Sequence, residues 1–360
     1  MKLNFQLNPL TLKKLRRFRS IKRGYWSFVA LGVAFGLSLL AEVLVSKRAL
    51  FVSYEGEWFF PTYGAQISGT TLGLDYEYET DYRELAAKFE ADDASGNWLL
   101  MPPVPYDPYE NDYSREDARG YSPPSWETGH LLGTDRTERD VLARLFYGFR
   151  ISILFALGYL VLTYLVGIFA GCVMGYFGGR TDMFGLRLVE IWANVPFLYM
   201  VIILVDIMPE GWGTGMRVLL LLFIMVLFSW TGMTYYVRAS AYKEKAREYV
   251  AAAKVLGAGP GRVIFRHLLP NVISTLVTFA PFTVAAAITS ITALDFLGFG
   301  LPSPTPSWGE LLKQGVNNLR EAPWIVTSTV SALVLTLTLV TFVGEAVREA
   351  FDPKRFSTYE

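Results

Sequence analysis

Three carboxylates lie in or beside long apolar runs: Glu190, Asp206 and Asp295. A carboxylate facing hydrocarbon is costly, and one that persists there commonly relays a proton or holds an ion. Each also has a milder reading. Glu190 follows Arg187 by three residues, the spacing of a helical ion pair, and Asp206 and Asp295 sit near the ends of their runs, where water reaches. Other reactive groups are sparse. The two histidines, His130 and His267, and the single cysteine, Cys172, make no metal-ligand spacing and allow no internal disulfide. No G-x-x-x-x-G-K-[ST] run is present, so no loop of the kind that cradles nucleotide phosphates is expected in this chain. Basic and acidic residues balance at 33 each, which gives nucleic acid no electrostatic hold.

The elements that position these groups are apolar. The chain has 360 residues, 52% of them hydrophobic and 15% aromatic, too apolar for an average soluble domain. Six stretches, 26–45, 151–174, 186–207, 218–237, 272–294 and 325–344, have the length of about 20 residues that crosses a bilayer. Helices are the expected form, because lipid cannot satisfy an open strand. Asn194, Pro196 and Pro281 fall inside these runs and are candidate helix kinks or polar lining of a pathway. The first stretch follows a basic tail and lacks a small-residue cleavage site, so it reads as a retained span.

Residues 1–24 carry eight Lys and Arg, which places the amino terminus in the cytoplasm, and six crossings return the carboxyl terminus there. In that orientation 20 of the 33 basic residues are cytoplasmic; Arg136, Arg139, Arg144 and Arg150 are the group that opposes it. The expected fold class is an all-α integral membrane protein with six transmembrane helices and a long external insertion after the first. Its parts are a cytoplasmic tail at 1–24, a first span at 25–45, the insertion at 46–133, a membrane core at 134–346 containing a cytoplasmic hairpin at 240–269, and a tail at 347–360. Between Phe51 and His130 the insertion has 16 acidic and 4 basic residues. Its many aromatics argue for a folded or docked segment. After it, Thr134 or Asp135 is expected to cap a helix with Val141, Leu142, Leu145, Phe146 and Phe149 on one face. That reads as an amphipathic helix in the outer interface, or as the polar-ended start of the second span.

The hairpin, EYVAAAKVLGAGPGRVIFRHLLPN at 248–271, is charged and small-sided between two apolar runs. Residues 240–256 favour helix. Gly257 is a left-handed terminator, Pro260 and Gly261 stop the helix, 262–269 forms a second short helix, and Pro270 suits the first turn of the next span. Ala251, Ala252 and Ala253 leave room for another backbone to approach. A short helix held at a membrane surface can insert into a groove on a partner.

This segment resembles the coupling loop of permease subunits of binding-protein-dependent ABC importers, of the dipeptide/oligopeptide branch. Ala251-Ala252-Ala253, Gly257, His267 and Leu269-Pro270 stand in the register of the loop's pattern. Ala251 replaces its glutamate, and Glu248 lies one turn earlier on nearly the same face. Leu132-Gly133-Thr134-Asp135, Arg139-Asp140-Val141-Leu142, Arg144-Leu145, Tyr147-Gly148 and Arg150 are similar to a second signature of that branch, with Glu138 where the family usually has glycine. The runs 293–300, 304–309 and 344–353 look like its last external loop and its carboxyl-terminal motif. Asn97-Trp98, Pro102-Pro103 and Pro123-Pro124-Ser125-Trp126 bring the resemblance nearest to Yej-type permeases, associated with microcin C and peptides.

The resemblance implies a type I importer permease in the bacterial inner membrane, with no catalysis or cofactor of its own. ATP and Mg would be bound by partner ATP-binding subunits that dock on Glu248, Ala251, Ala252, Ala253, Gly257, Ala258, His267, Leu269 and Pro270. A second permease subunit would complete a heterodimer, and a periplasmic peptide-binding protein would deliver cargo. Two rivals remain open. An ion-coupled secondary transporter should show inverted repeats, and no such halves are visible. A membrane sensor should carry a cytoplasmic output domain, against 16 residues beyond Gly344.

Overall fold

The computed structural model describes residues 9–92, 96–112, 120–209 and 211–351. Helices α1 (Pro9–Ser20), α2 (Lys22–Leu39) and α3 (Ala41–Leu44) lead into a segment built on strands β1 (Phe51–Tyr54), β2 (Glu57–Phe59) and β3 (Trp98–Leu100) and helix α4 (Tyr82–Ala91). The bundle follows: α5 (Val141–Phe177), α6 (Gly179–Ala193), α7 (Phe197–Asp206), α8 (Thr214–Lys245), α9 (Glu248–Val255), α10 (Pro260–Arg262), a π-helical turn (Val263–Leu268), α11 (Leu269–Leu276), α12 (Ala280–Leu297), α13 (Trp308–Asn317) and α14 (Pro323–Phe351). Residues 1–8 of the basic tail and 352–360, which include Asp352-Pro353 of the carboxyl-terminal motif, lie outside the described residues.

Among the described residues α5, α8, α12 and α14 are long and apolar enough to cross a membrane, and α6 with α7 adds a fifth if the pair crosses once. That pair turns by 72° between Ala193 and Phe197, at Asn194 and Pro196. The Asn194 amide donates to the Glu190 carbonyl at 2.7 Å and closes the last turn of α6. The first expected span is divided at Leu40 into α2 and α3, and α2 opens on Lys22 and Arg23, which shortens its apolar length. The expected 272–294 span is likewise interrupted, with 277–279 separating α11 from α12 and Pro281 in the first turn of α12.

Two expectations need correction. The chain is mostly helical rather than all-α, because β1 pairs antiparallel with both β2 (Val52 opposite Phe59) and β3 (Val52 opposite Leu99). Alternation explains it: Val52 points into a core of Ala49, Leu72, Leu74, Tyr82, Leu85 and Phe89, while Phe51 and Ser53 face the other way. Second, among the described residues no separate interfacial helix precedes the second span, which instead has the polar-ended start expected as the alternative. Asp140, rather than Thr134 or Asp135, caps α5 by accepting from the Ala143 amide at 2.7 Å, and the helix runs unbroken for 37 residues, about 55 Å at 1.5 Å per residue. Its first turns are buried nearly all round, because Gly148 admits the Trp308 ring, whose Nε1 donates to the Leu145 carbonyl at 2.9 Å.

Small residues set how closely the long helices approach. Gly167, Gly171 and Gly175 form a stripe on α5, and a Cβ added at each would stand 2.6 Å from the Cβ of Met233, Val237 and Ala241 of α8. Side chains there would force the helices apart, so the stripe fixes α5 against α8. Gly24 does the same for α2 against Phe342 and Ala346 of α14.

Candidate functional site

The hairpin sits at the end of the α5–α8 pair opposite the β-containing segment. Helix α8 ends at Lys245 and α9 begins at Glu248. Helix α9 stops where Gly257 takes φ +82°: the Ala258 amide reaches back to the Ala253 carbonyl and the Gly257 amide to the Lys254 carbonyl, both at 3.0 Å. This pair of bonds is a Schellman closure, and only glycine adopts that φ without strain. Pro260 starts the second helix two residues earlier than 262, with Val263–Leu268 wound as a π-turn rather than an α-helix. π-turns of this kind frequently occur at functional sites.

A small core makes the hairpin rigid. Val250, Val263 and Leu268 are fully buried and pack with Tyr176, Ala258 and Ile264. Ala253 turns toward it, whereas Glu248, Ala251 and Ala252 are exposed. The Tyr249 hydroxyl donates to Glu244 at 2.8 Å and accepts from the Asn271 amide at 3.0 Å, which ties α9 to both neighbouring helices. Burial, then the Glu244 carboxylate, raises the Tyr249 phenol pKa and keeps it protonated. His267 is half-buried, its ring 6.4 Å from that of Tyr249, and Leu269 and Pro270 begin α11. What remains outside is an apolar knob. Val255 and Leu256 are 87% and 86% exposed, and Phe265 of the π-turn is exposed as well. The motif pattern did not single out these three side chains, although a Val-Leu pair directly before the terminating glycine was visible in sequence.

The lever behind the knob is tied by charge as well as by glycines. Arg238 of α8 donates to Asp182 of α6 through Nη2 at 2.6 Å, and the Tyr242 hydroxyl donates to the same carboxylate at 2.9 Å. The three carboxylates that open the chemistry all have local duties or exposed positions. Glu190 accepts from Arg187 at 2.8 Å, the pair expected from their spacing. Asp295 is buried, accepts from the Leu301 amide at 2.6 Å and from the Ser307 hydroxyl, and so pins α12 to the start of α13. Asp206 ends α7 in an exposed position.

At the opposite end of α5 a buried polar network joins the β-containing segment to the bundle. His130 Nδ1 lies 2.8 Å from Asp140 and Nε2 lies 3.2 Å from Asp112, with the Tyr106 ring stacked 4.0 Å away. Burial opposes the imidazolium, but a carboxylate on each ring nitrogen outweighs it and raises the His130 pKa. Asp135 is held below the usual carboxylate range: burial pushes it up, and Arg144 and Arg139 more than offset that. Both arginines also reach Glu310 of α13.

Residues 164–357 match the family described as binding-protein-dependent transport system inner membrane component. The chain belongs to this family. It is 39% identical to the peptidoglycan transport system permease protein YejE of Agrobacterium fabrum, over 97% of this chain and 94% of that one. To the inner membrane ABC transporter permease protein YejE of Escherichia coli it is 38% identical, over 97% of this chain and 99% of that one. Identity with the oligopeptide transport system permease protein OppC of Escherichia coli is 36%, over 65% of this chain and 75% of that one. As an inner membrane component of such a system, the chain places its hairpin and its glycine-locked helices in a permease.

Proposed function

We propose that this chain is a Yej-type permease subunit that carries peptides or peptide-like compounds across the inner membrane, powered by ATP hydrolysis on separate subunits. The YejE and OppC relatives support the substrate class. In this reading six crossings put both termini in the cytoplasm and the 46–133 insertion outside. The 20 basic residues on the cytoplasmic side support that orientation. A second permease completes the pathway, a periplasmic peptide-binding protein delivers cargo, and ATP and Mg reside on the partner ATP-binding subunits.

The observation that carries the reading is the exposed knob at the Schellman turn. Glu248, Ala251, Ala252, Gly257 and Ala258 present a low surface to the partner, and Val255 and Leu256 fill its groove. Ala253, His267, Leu269 and Pro270 hold the frame. Nucleotide-driven movement of the ATP-binding subunits then shifts α9, and the α5–α8 lever transmits the shift to the bends at Asn194–Pro196 and Pro281. The coupling works because the docked subunits bind the two pathway conformations unequally.

Burying two such side chains is worth about 3–6 kcal/mol. Leu256→Glu is therefore expected to abolish co-purification of the ATP-binding subunits while leaving the chain in the membrane at normal level. Full recruitment by that variant would reject the docking role.

A further inference from the structure

Helix α1 has two faces of different character. On one, Arg17 lies 3.8 Å from the Glu349 carboxylate and the Lys14 ammonium 4.6 Å from the centre of the Phe351 ring. Just beyond, Arg23 donates to Glu345 at 2.6 Å. These contacts dock α1 on the end of α14 and engage both carboxylates of its last two turns. The other face is exposed. Leu12, Leu15, Arg16 and Arg19 follow the i, i+3, i+4, i+7 spacing of one helical stripe, with Lys13 beside it and Lys22, also exposed, at the start of α2. Among the described residues no carboxylate pairs with Lys13, Arg16, Arg19 or Lys22.

The height of this face follows from the chain. Helix α2 begins one residue after α1 ends, and Trp26, exposed in its second turn, is the residue type that settles at a membrane–water boundary. The carboxyl-terminal end of α1 therefore lies within about 10 Å of that boundary. Leucines interleaved with cations that no carboxylate neutralises, Arg19 lying 5.8 Å from the centre of the Tyr25 ring, match a surface that is anionic on top and apolar beneath.

We propose that this face of α1 binds anionic phospholipid headgroups of the inner leaflet, with Lys13, Arg16, Arg19 and Lys22 on the phosphates and Leu12 and Leu15 among the upper acyl carbons. The inference rests on the orientation given under the proposed function. A protein with an acidic surface would satisfy the cations, but it would need apolar pockets spaced to the two leucines. The bilayer offers both without leaving the chain. Each cation near an anionic membrane surface adds about fivefold to the association. The lipid thus holds α1 from one side while α14 holds it from the other.

The test uses the full chain carrying Leu15→Cys in a Cys172→Ser background, labelled with a fluorophore and reconstituted in phosphatidylcholine nanodiscs. A minor fraction of spin-labelled phosphatidylglycerol is expected to quench the label at least about threefold more effectively than spin-labelled phosphatidylcholine. The preference should collapse in high salt. It should also be lost in the Lys13→Gln, Arg16→Gln, Arg19→Gln, Lys22→Gln variant and retained with Lys13→Arg and Lys22→Arg. Equal quenching by the two lipids in the parent chain overturns the proposal, as does a label shielded from both and released only when the ATP-binding subunits are removed. Failure of the orientation would appear separately, as labelling of Ser20→Cys by an impermeant reagent added outside intact cells.

Discussion

Glu138 holds a backbone conformation that glycine normally takes, φ +57°, and is almost fully buried. Its Oε2 accepts from the Thr134 hydroxyl at 2.7 Å and the Ser122 hydroxyl at 2.9 Å, while its buried Oε1 has no partner. Left-handed backbone costs a side-chain-bearing residue about 1–2 kcal/mol, close to what the two hydrogen bonds return. Glu138→Gly is accordingly expected to change stability by less than about 1 kcal/mol, and Glu138→Val, which keeps the strain and loses the bonds, to cost about 2–3 kcal/mol by thermal melting in detergent. The sequence marked Glu138 as a departure from glycine, and the backbone shows why glycine is the usual choice. His130 was visible only as an isolated histidine, because its carboxylate partners lie 10 and 18 residues away and the chain between them is not a helix whose period could pair them. Its raised folded pKa sets a sign. The bridge to Asp112 and Asp140, backed by Arg83 and Glu110, contributes fully below the ordinary imidazole range and fades as pH rises through the folded value. Melting temperature should fall as pH rises above about 6.5 in the parent chain, and the slope should flatten in His130→Gln. A parent chain with no slope there would contradict the bridge.

Helices were legible where composition alone decides them. The 151–174, 218–237 and 325–344 runs all fall within continuous helices, because an uninterrupted apolar run has no other way to satisfy its backbone. Their extensions were harder to see. Helix α5 begins ten residues before its apolar run, since Arg144 and Arg150 are paid for by Glu310 and Glu42 rather than by water. The glycine stripe at 167, 171 and 175 was readable as a small-xxx-small repeat, but nothing in sequence named its partner. Gly171→Leu is expected to separate α5 from α8, costing about 1–3 kcal/mol and lowering the yield of folded chain by size-exclusion profile. Gly257→Val strains the turn instead, so it should insert normally and lose recruitment of the ATP-binding subunits; unchanged recruitment would show that the turn does not need φ +82°. The small sheet escaped notice because its strands are only three or four residues long.

At the scale of the whole molecule the two ends of α5 have different jobs. One end is welded by the His130 and Asp135 networks to the β-containing segment and to α13, and the other carries the rigid hairpin with its exposed knob. A weld at one end and a knob at the other suit a part that is moved from outside. The account therefore makes the chain a passive path, driven only through its hairpin. Proteoliposomes test this most directly, with peptide uptake measured for the permease pair alone and again after the ATP-binding subunits, binding protein and ATP are added. The account predicts no uptake by the pair under an imposed proton or sodium gradient, and uptake only in the complete, ATP-fed assembly. Sustained gradient-driven uptake by the pair alone would contradict it.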